Sequence, residues 1–123
     1  MSLEPCPSSP NCVSTLAEPS DRTHHIEPLS INHDADEVLD AVAAVIVDAG
    51  GEVGKRSANT LEAVFTSRLF RFKDDVAVFV DTEERRLHGR SASRVGYSDL
   101  GVNRKRLAQL FGEVDARLNV GGS

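Results

Sequence analysis

The hydrophobic pattern changes its period along the chain. Between residues 33 and 51, apolar side chains recur at the three- and four-residue spacing of one helical face. Asp34 followed by Glu37 predicts a capping box at the start of this helix, and Gly50-Gly51 predicts its end. The apolar positions are Val38, Leu39, Val42, Val45, Ile46 and Ala49.

After Gly51 apolar and polar residues alternate, which is typical of half-buried strands. We predict four strands, over residues 52–58, 60–72, 75–81 and 86–96, with short polar breaks at 59–60, 73–75 and 82–85. A short strand is also predicted over residues 23–31, with Pro28 at an edge or a bulge. An amphipathic helix is predicted over 103–118. The order β-α-β-β-β-β-α predicts an α+β two-layer sandwich, with a mostly antiparallel sheet and both helices on one face.

The first 22 residues contain four prolines and five serines, which predicts an irregular leader carrying the Cys pair. Residues 23–120 then form a single α+β domain, as the 123-residue length allows. No apolar run reaches the roughly 18 residues of a membrane span. The N-terminus lacks the pattern of a secretory signal, so we expect a cytoplasmic protein.

Charge divides the chain into two halves. Residues 1–67 carry three basic and eleven acidic side chains, whereas residues 68–106 carry ten basic and six acidic ones. The formal net charge is -5. Because nucleic-acid affinity comes mostly from neutralising phosphates, this acidic balance argues against nucleic acid as a partner.

Strand alternation places the basic residues of the second half. If the small and apolar sets face the helices, Arg68, Arg90 and Arg94 share the uncovered face, with His88 nearby. Guanidinium groups suit carboxylate or phosphate, because they offer a rigid fork of donors. The alternative is a solvated face in which acids such as Asp75 pair with the arginines. Arg71 and Arg104 are secondary candidates for ligand contacts.

Three cations, Arg104 to Arg106, lie in the first turn of the last helix if Asn103 caps it. They oppose the helix dipole, at a cost of about 0.3–1 kcal/mol each when exposed. An anion bound at the helix N-terminus would relieve this arrangement. The carboxylate of Asp99 would also relieve this arrangement, without any ligand, and we favour this second explanation.

Cys6 and Cys12 form a C-x5-C pair, which allows a disulfide, a metal pair or free thiols. His24 and His25 lie twelve residues further on, but adjacent histidines on a strand point in opposite directions. We therefore expect no metal site and no cofactor. No nucleophile, phosphate loop or paired-carboxylate motif appears, so catalytic residues stay unassigned.

Four blocks, "CPSSPNCVST", "HHIEPL", "FTSRLFRFKDDV" and "RSASRVGYSDLGVNRKR", follow one another between Cys6 and Arg106. Together they resemble the domain of unknown function 1499 family. The resemblance implies no assigned activity. Its motif positions here are Cys6, Pro10, Asn11, Cys12, Arg68, Phe70, Arg71, Asp75, Arg90, Ser91, Ser93, Arg94, Gly96, Asp99, Gly101, Asn103 and Arg104.

Three hypotheses on function follow. The first is a non-enzymatic binding module that takes an anionic or amphipathic small molecule, a lipid or an acidic peptide on the arginine-bearing sheet face. The second is a metal- or thiol-dependent enzyme or redox protein that uses Cys6, Cys12, His24 and His25. The third is a protein-interaction module.

Overall fold

A computed structural model describes residues 3–67, 71–96 and 99–119 of the chain. Within these residues the protein forms an antiparallel sheet of six strands and two helices, which confirms the α+β fold. The elements in chain order are β1 (Cys12–Ser14), β2 (Leu29–Ser30), α1 (Ala35–Asp48), β3 (Glu52–Arg56), β4 (Thr60–Thr66), β5 (Lys73–Asp81), β6 (Arg86–Ser93) and α2 (Val102–Asn119).

The strands from β3 to β6 pair in sequence order, and β1 lies beside β6 to give the order β1-β6-β5-β4-β3. The two-residue strand β2 pairs with the start of β6, where Leu29 faces Leu87. In the register of β5 and β6, Phe79 faces His88 and Ala77 faces Arg90. The long hairpin strands therefore set which side chains are neighbours across the sheet.

Both helices pack on one face of the sheet, as the alternation predicts. The core is aliphatic, because each strand turns every second side chain toward the helices. Gly89 in β6 lies under α2, where a Cβ atom would come within 3.0 Å of both Leu107 and Phe111. The fully buried side chains of this core are Val38, Leu39, Val42, Ile46, Leu61, Val76, Val78, Val80, Leu87, Leu107 and Val114.

The structure corrects several predicted boundaries in the N-terminal half. Cys12–Ser14 form strand β1, inside the segment that was predicted to be irregular. The strand predicted over residues 23–31 is reduced to Leu29–Ser30 and an isolated bridge between Ser14 and His25. The carboxylate of Asp34 accepts no capping hydrogen bond, so the predicted capping box is wrong. The division into a leader and a domain at residue 22 stays a prediction.

Two further boundaries differ in the C-terminal half. Strand β5 begins at Lys73, so the predicted break at 73–75 is wrong. Strand β4 ends at Thr66, and residues 68–70 of the strand predicted over 60–72 lie outside the described residues. Helix α2 begins one residue earlier than predicted, which places Asn103 inside the helix rather than at its cap. Neither helix of the described residues combines the length and hydropathy needed to cross a membrane.

Candidate functional site

The face of the sheet that points away from the helices carries the β6 side chains predicted to bind a ligand. His88, Arg90 and Arg94 lie on this face by strand alternation. Beside them β5 and β4 contribute Ala77, Phe79 and Val64, all half-buried. We call this surface the outer face. It combines this apolar floor with basic groups, and it also carries the carboxylates of Glu62, which faces Ala77, and Asp75, which faces Val64.

The N-terminal segment covers one border of the outer face. Strand β1 pairs with β6 so that Cys12 faces Ala92 and Ser14 faces Arg90. Both β1 side chains are buried, although β1 lies at the edge of the sheet. Among the described strands, the outer face stays open over β3, β4, β5 and the adjoining side of β6.

Arg94 is engaged by an acidic partner. Its guanidinium donates two hydrogen bonds of 2.9 Å to the two carboxylate oxygens of Asp75. This bidentate pair raises the pKa of Arg94. About half of each side chain remains exposed, so solvent screens the pair. Much of the charge of Arg94 is consequently neutralised within the protein.

Arg90 has a different environment. It is partly buried, and its terminal nitrogen donates one long hydrogen bond of 3.4 Å to the carbonyl of Pro5. Its Nε is buried and has no hydrogen-bond partner in the part of the chain that the structure describes. Among the described residues no carboxylate pairs with Arg90. A buried guanidinium donor without an acceptor is costly, because the donor has lost its hydration.

His88 is held in place on the same face. The hydroxyl of Thr15 lies 2.8 Å from Nδ1 of His88 and also accepts a hydrogen bond from the backbone N–H of Gly89. The ring of Phe79 stacks on the imidazole. Burial lowers the pKa of His88, so the neutral ring is favoured. His88 does not supply a positive charge to the face at neutral pH.

Of the three other arginines predicted to contact a ligand, the structure describes Arg71 and Arg104. Arg71 is exposed in the β4–β5 connection and adopts a positive φ of 59°. Arg68, which was predicted to converge with Arg90, lies outside the described residues. Arg104 donates three hydrogen bonds, of 2.7 to 3.1 Å, to the carbonyls of residues 22, 23 and 25. That guanidinium holds the N-terminal segment against α2.

Asp99 caps helix α2, as favoured from the sequence. Its two oxygens accept hydrogen bonds from the backbone N–H groups of Gly101 and Asn103, at 2.8 and 3.0 Å. Burial acts to raise the pKa of Asp99, but these bonds and one from the Asn103 amide outweigh it, so the pKa is lowered. The carboxylate supplies the anion that the helix N-terminus favours.

Asn103 is the hub of a buried polar network that the sequence did not reveal. Its Oδ1 accepts a hydrogen bond from Ser91, and its Nδ2 donates to Asp99, Ser93 and the carbonyl of Asn11. Sequence spacing places Asn103 near a helix start, but its partners come from residues 4 to 92 positions away. Only the folded β6–α2 packing brings them together.

The two cysteines form a disulfide, with 5.7 Å between their Cα atoms. Of the three alternatives that the spacing allowed, the structure therefore shows the disulfide, and the free thiols and the metal pair are excluded in this state. The disulfide ties the residues before β1 to that strand, because Cys12 is the first residue of β1.

The neighbouring histidines also lack free nitrogens. Each ring has an acceptor at both nitrogens, which requires the doubly protonated imidazolium. These contacts raise the pKa of both histidines; the main cause is the Ser9 carbonyl for His24 and the Glu27 carboxylate for His25. An imidazolium is not a metal ligand. The acceptors are Asp21 and the Ser9 carbonyl for His24, and the Ala17 carbonyl and Glu27 for His25.

A groove of about 730 Å³ lies on the other layer, between α1, α2 and the end of β4. Ile46, Phe65 and Leu110 form part of its apolar wall. The two arginines of its rim already have partners, because Arg106 pairs with Asp74 and Arg117 with Asp48. This groove is therefore less suited to an anion than the surroundings of Arg90. Its apolar wall is formed in part by side chains of the two helices, among them Val45 of α1 and Leu110 of α2.

The fold and the outer face define a small α+β domain with a partly apolar, arginine-bearing sheet surface. The chain belongs to the family described as "Protein of unknown function (DUF1499)", whose family model matches residues 2–114. That match confirms the resemblance seen in the four sequence blocks. A comparison with curated proteins found no match.

Proposed function

We propose that this protein is a binding module for an amphipathic anion, with Arg90 as the charged anchor on the outer face. The observation that carries the proposal is the environment of Arg90, a partly buried guanidinium with an unpartnered Nε and no carboxylate partner among the described residues. An anionic oxygen placed at this guanidinium would supply the missing acceptor. A carboxylate or phosphate matches its geometry.

The apolar part of the ligand has a surface beside Arg90. Ala77 lies directly across the strand pair from Arg90, and Phe79 and Val64 are the next apolar residues on β5 and β4. Hydrocarbon packed on this floor gains about 25 cal/mol per Å² of apolar surface removed from water. The combination favours a fatty-acid-like ligand over a small hydrophilic anion.

The test uses dodecanoate as probe and the full chain as receptor. We expect dodecanoate to raise the melting temperature of the wild type by mass action. An Arg90→Gln variant should lose at least tenfold in affinity by isothermal titration. Arg117→Gln is the matched control, because Arg117 is an exposed arginine paired with Asp48 on the helix layer. It should bind like the wild type.

Two further probes separate the contributions. Inorganic phosphate carries the negative charge without an alkyl chain, and dodecyl maltoside carries the alkyl chain without the charge. We expect both to bind more weakly than dodecanoate. Equal dodecanoate affinities for wild type and a folded Arg90→Gln variant would reject the proposal, and so would binding of the uncharged detergent with the same affinity.

Docking of an acidic amphipathic peptide is the second candidate function. It is favoured by exposed apolar residues in and beside the β4–β5 and β6–α2 connections. The backbone N–H of Arg94 donates to the carbonyl of Lys73 at this end of the sheet. Leu100 is 94% exposed at a φ of 55°, which is unusual for a bulky side chain. The group comprises Phe72, Val95, Leu100 and Val102.

This candidate is tested by fluorescence anisotropy with a labelled acidic amphipathic peptide. A Leu100→Ser variant should weaken binding at least tenfold. Leu16→Ser is the control, since Leu16 is an exposed leucine in the N-terminal segment. Equal binding by the two variants would exclude the docking surface.

A further inference from the structure

Two carboxylates and an imidazole meet at the turn between β5 and β6. Asp81 is the last residue of β5, Glu84 lies in the turn, and His88 is the third residue of β6. One ligand atom from each of these residues lies within 4.8 Å of the other two. The strand register brings this about, because Asp81 faces Arg86 and His88 follows two residues later on the same face.

The imidazole is already oriented for ligation. Thr15 holds Nδ1 of His88, and the other nitrogen, Nε2, forms no hydrogen bond with a described residue. His88 is 6% exposed and its ring stacks on Phe79, so few other orientations are available. Metal-binding histidines typically have one nitrogen fixed in this way while the other binds the ion.

One of the carboxylates is oriented as well. Oδ1 of Asp81 accepts two hydrogen bonds of 3.0 Å from the backbone N–H groups of Glu83 and Glu84. This leaves Oδ2 of Asp81 for another partner. Neither Asp81 nor Glu84 forms an ion pair with a side chain in the described part of the chain. Two like charges that lie this close repel one another unless a cation separates them.

We propose that Asp81, Glu84 and His88 form a binding site for a divalent transition-metal cation. One nitrogen and two carboxylate oxygens make a mixed donor set, which suits Zn²⁺ or Mn²⁺ better than the oxygen-only sites preferred by Mg²⁺ and Ca²⁺. Three protein ligands leave positions for water or for an anionic ligand, as in catalytic rather than structural zinc sites. The sequence did not reveal this site, because D-x2-E-x3-H is not a recognised metal motif. The three side chains come together only when β5 and β6 pair as a hairpin.

The site does not depend on the proposed binding of amphipathic anions at Arg90. The experiment is an isothermal titration of the full chain with Zn²⁺, without any anionic ligand. We expect Glu84→Gln and Asp81→Asn to weaken Zn²⁺ binding at least tenfold. Glu83→Gln is the matched control, since it removes a glutamate of the same turn that lies outside the cluster, and it should change the affinity less than twofold.

A second measurement follows the imidazole resonances by NMR during the Zn²⁺ titration, which identifies the histidine that binds. The His88 ring nitrogens should shift first, with those of His24, His25 and His33 unchanged at one equivalent. The proposal is overturned if the wild type shows no binding at millimolar Zn²⁺, if Glu84→Gln binds as tightly as Glu83→Gln, or if another histidine shifts first.

Discussion

The hydroxyl of Ser91 in β6 donates a 2.6 Å hydrogen bond to the side-chain oxygen of Asn103 in α2, and both residues are fully buried. This bond joins the sheet to the start of the last helix. The amide nitrogen of Asn103 is also fully used, because it donates to Asp99, to Ser93 and to the carbonyl of Asn11. One asparagine thus connects the N-terminal segment, β6 and the cap of α2.

Replacing Asn103 with leucine should therefore destabilise the protein by about 3 kcal/mol, since buried polar partners left unsatisfied cost about 1–3 kcal/mol each. Urea denaturation measures the change. Gln109→Leu is the control, because Gln109 is an exposed amide on the same helix, and it should stay within about 0.5 kcal/mol of the wild type. Equal stabilities for the two variants would contradict the role assigned to Asn103.

Arg104 was expected to contact a ligand, yet its contacts are three backbone carbonyls of the N-terminal segment. An Arg104→Lys variant keeps the charge but loses the planar fork of donors. We expect it to lower the free energy of unfolding by about 1–2 kcal/mol, the scale of hydrogen bonds to a charged group.

Hydrogen exchange gives the local readout for Arg104. Amide protection at residues 24 to 26 should fall in Arg104→Lys, because their backbone hydrogen bonds join this segment to Ser14 and Asp21. Lys105→Gln, at the exposed neighbouring position, should leave that protection unchanged. If both variants behave like the wild type, the hydrogen bonds from Arg104 to the N-terminal segment do not stabilise the protein.

Much of the fold was predictable because strands and helices differ in hydrophobic period. The helix at Ala35–Asp48 and the series β3 to β6 follow directly from the apolar positions. Strand β1 was not predictable, because Cys12–Ser14 is only three residues long, lies in a proline-rich segment and is formed by pairing with β6. Its stability comes from tertiary contact, which local sequence does not encode.

The candidate site was predictable only in part, for a similar reason. Alternation along β6 placed Arg90 and Arg94 on one face. It did not show that Asp75 neutralises Arg94 while Arg90 lacks an acidic partner among the described residues, because that difference depends on cross-strand register and on the N-terminal segment. Likewise, spacing allowed three states for Cys6 and Cys12 without selecting among them.

Reduction of the disulfide should lower the free energy of unfolding by about 2 kcal/mol, the loop-closure value for a ring of this small size. The measurement is guanidinium denaturation with and without a phosphine reductant. A Cys6→Ala/Cys12→Ala variant provides the control: its stability should match that of the reduced wild type and should not respond to the reductant. A reduced wild type as stable as the oxidised protein would contradict this expectation.

The histidine pair at residues 24 and 25 should make stability depend on pH. Both folded-state pKa values are raised above the ordinary histidine value of 6.5, by hydrogen bonds to the Ser9 carbonyl for His24 and to the Glu27 carboxylate for His25. The positive charge of Arg104 acts to lower the pKa of both rings, whereas the Asp21 carboxylate acts to raise the pKa of His24. Because the folded state binds these protons more tightly, their stabilising contribution is present below pH 6.5 and is lost as the pH rises through the folded pKa values.

We therefore expect the free energy of unfolding to fall as the pH rises from 6.5 through the raised folded-state pKa values, and to fall less in a His24→Gln/His25→Gln variant. His88 does not produce this slope, since its lowered pKa removes stability only as the pH falls below 6.5. His33→Gln, outside the pair, is the control and should keep the wild-type slope. NMR titration of the imidazoles supplies the pKa values directly. Stability that rises over this interval, with unshifted His24 and His25 resonances, would show that the two rings are not held as imidazolium ions.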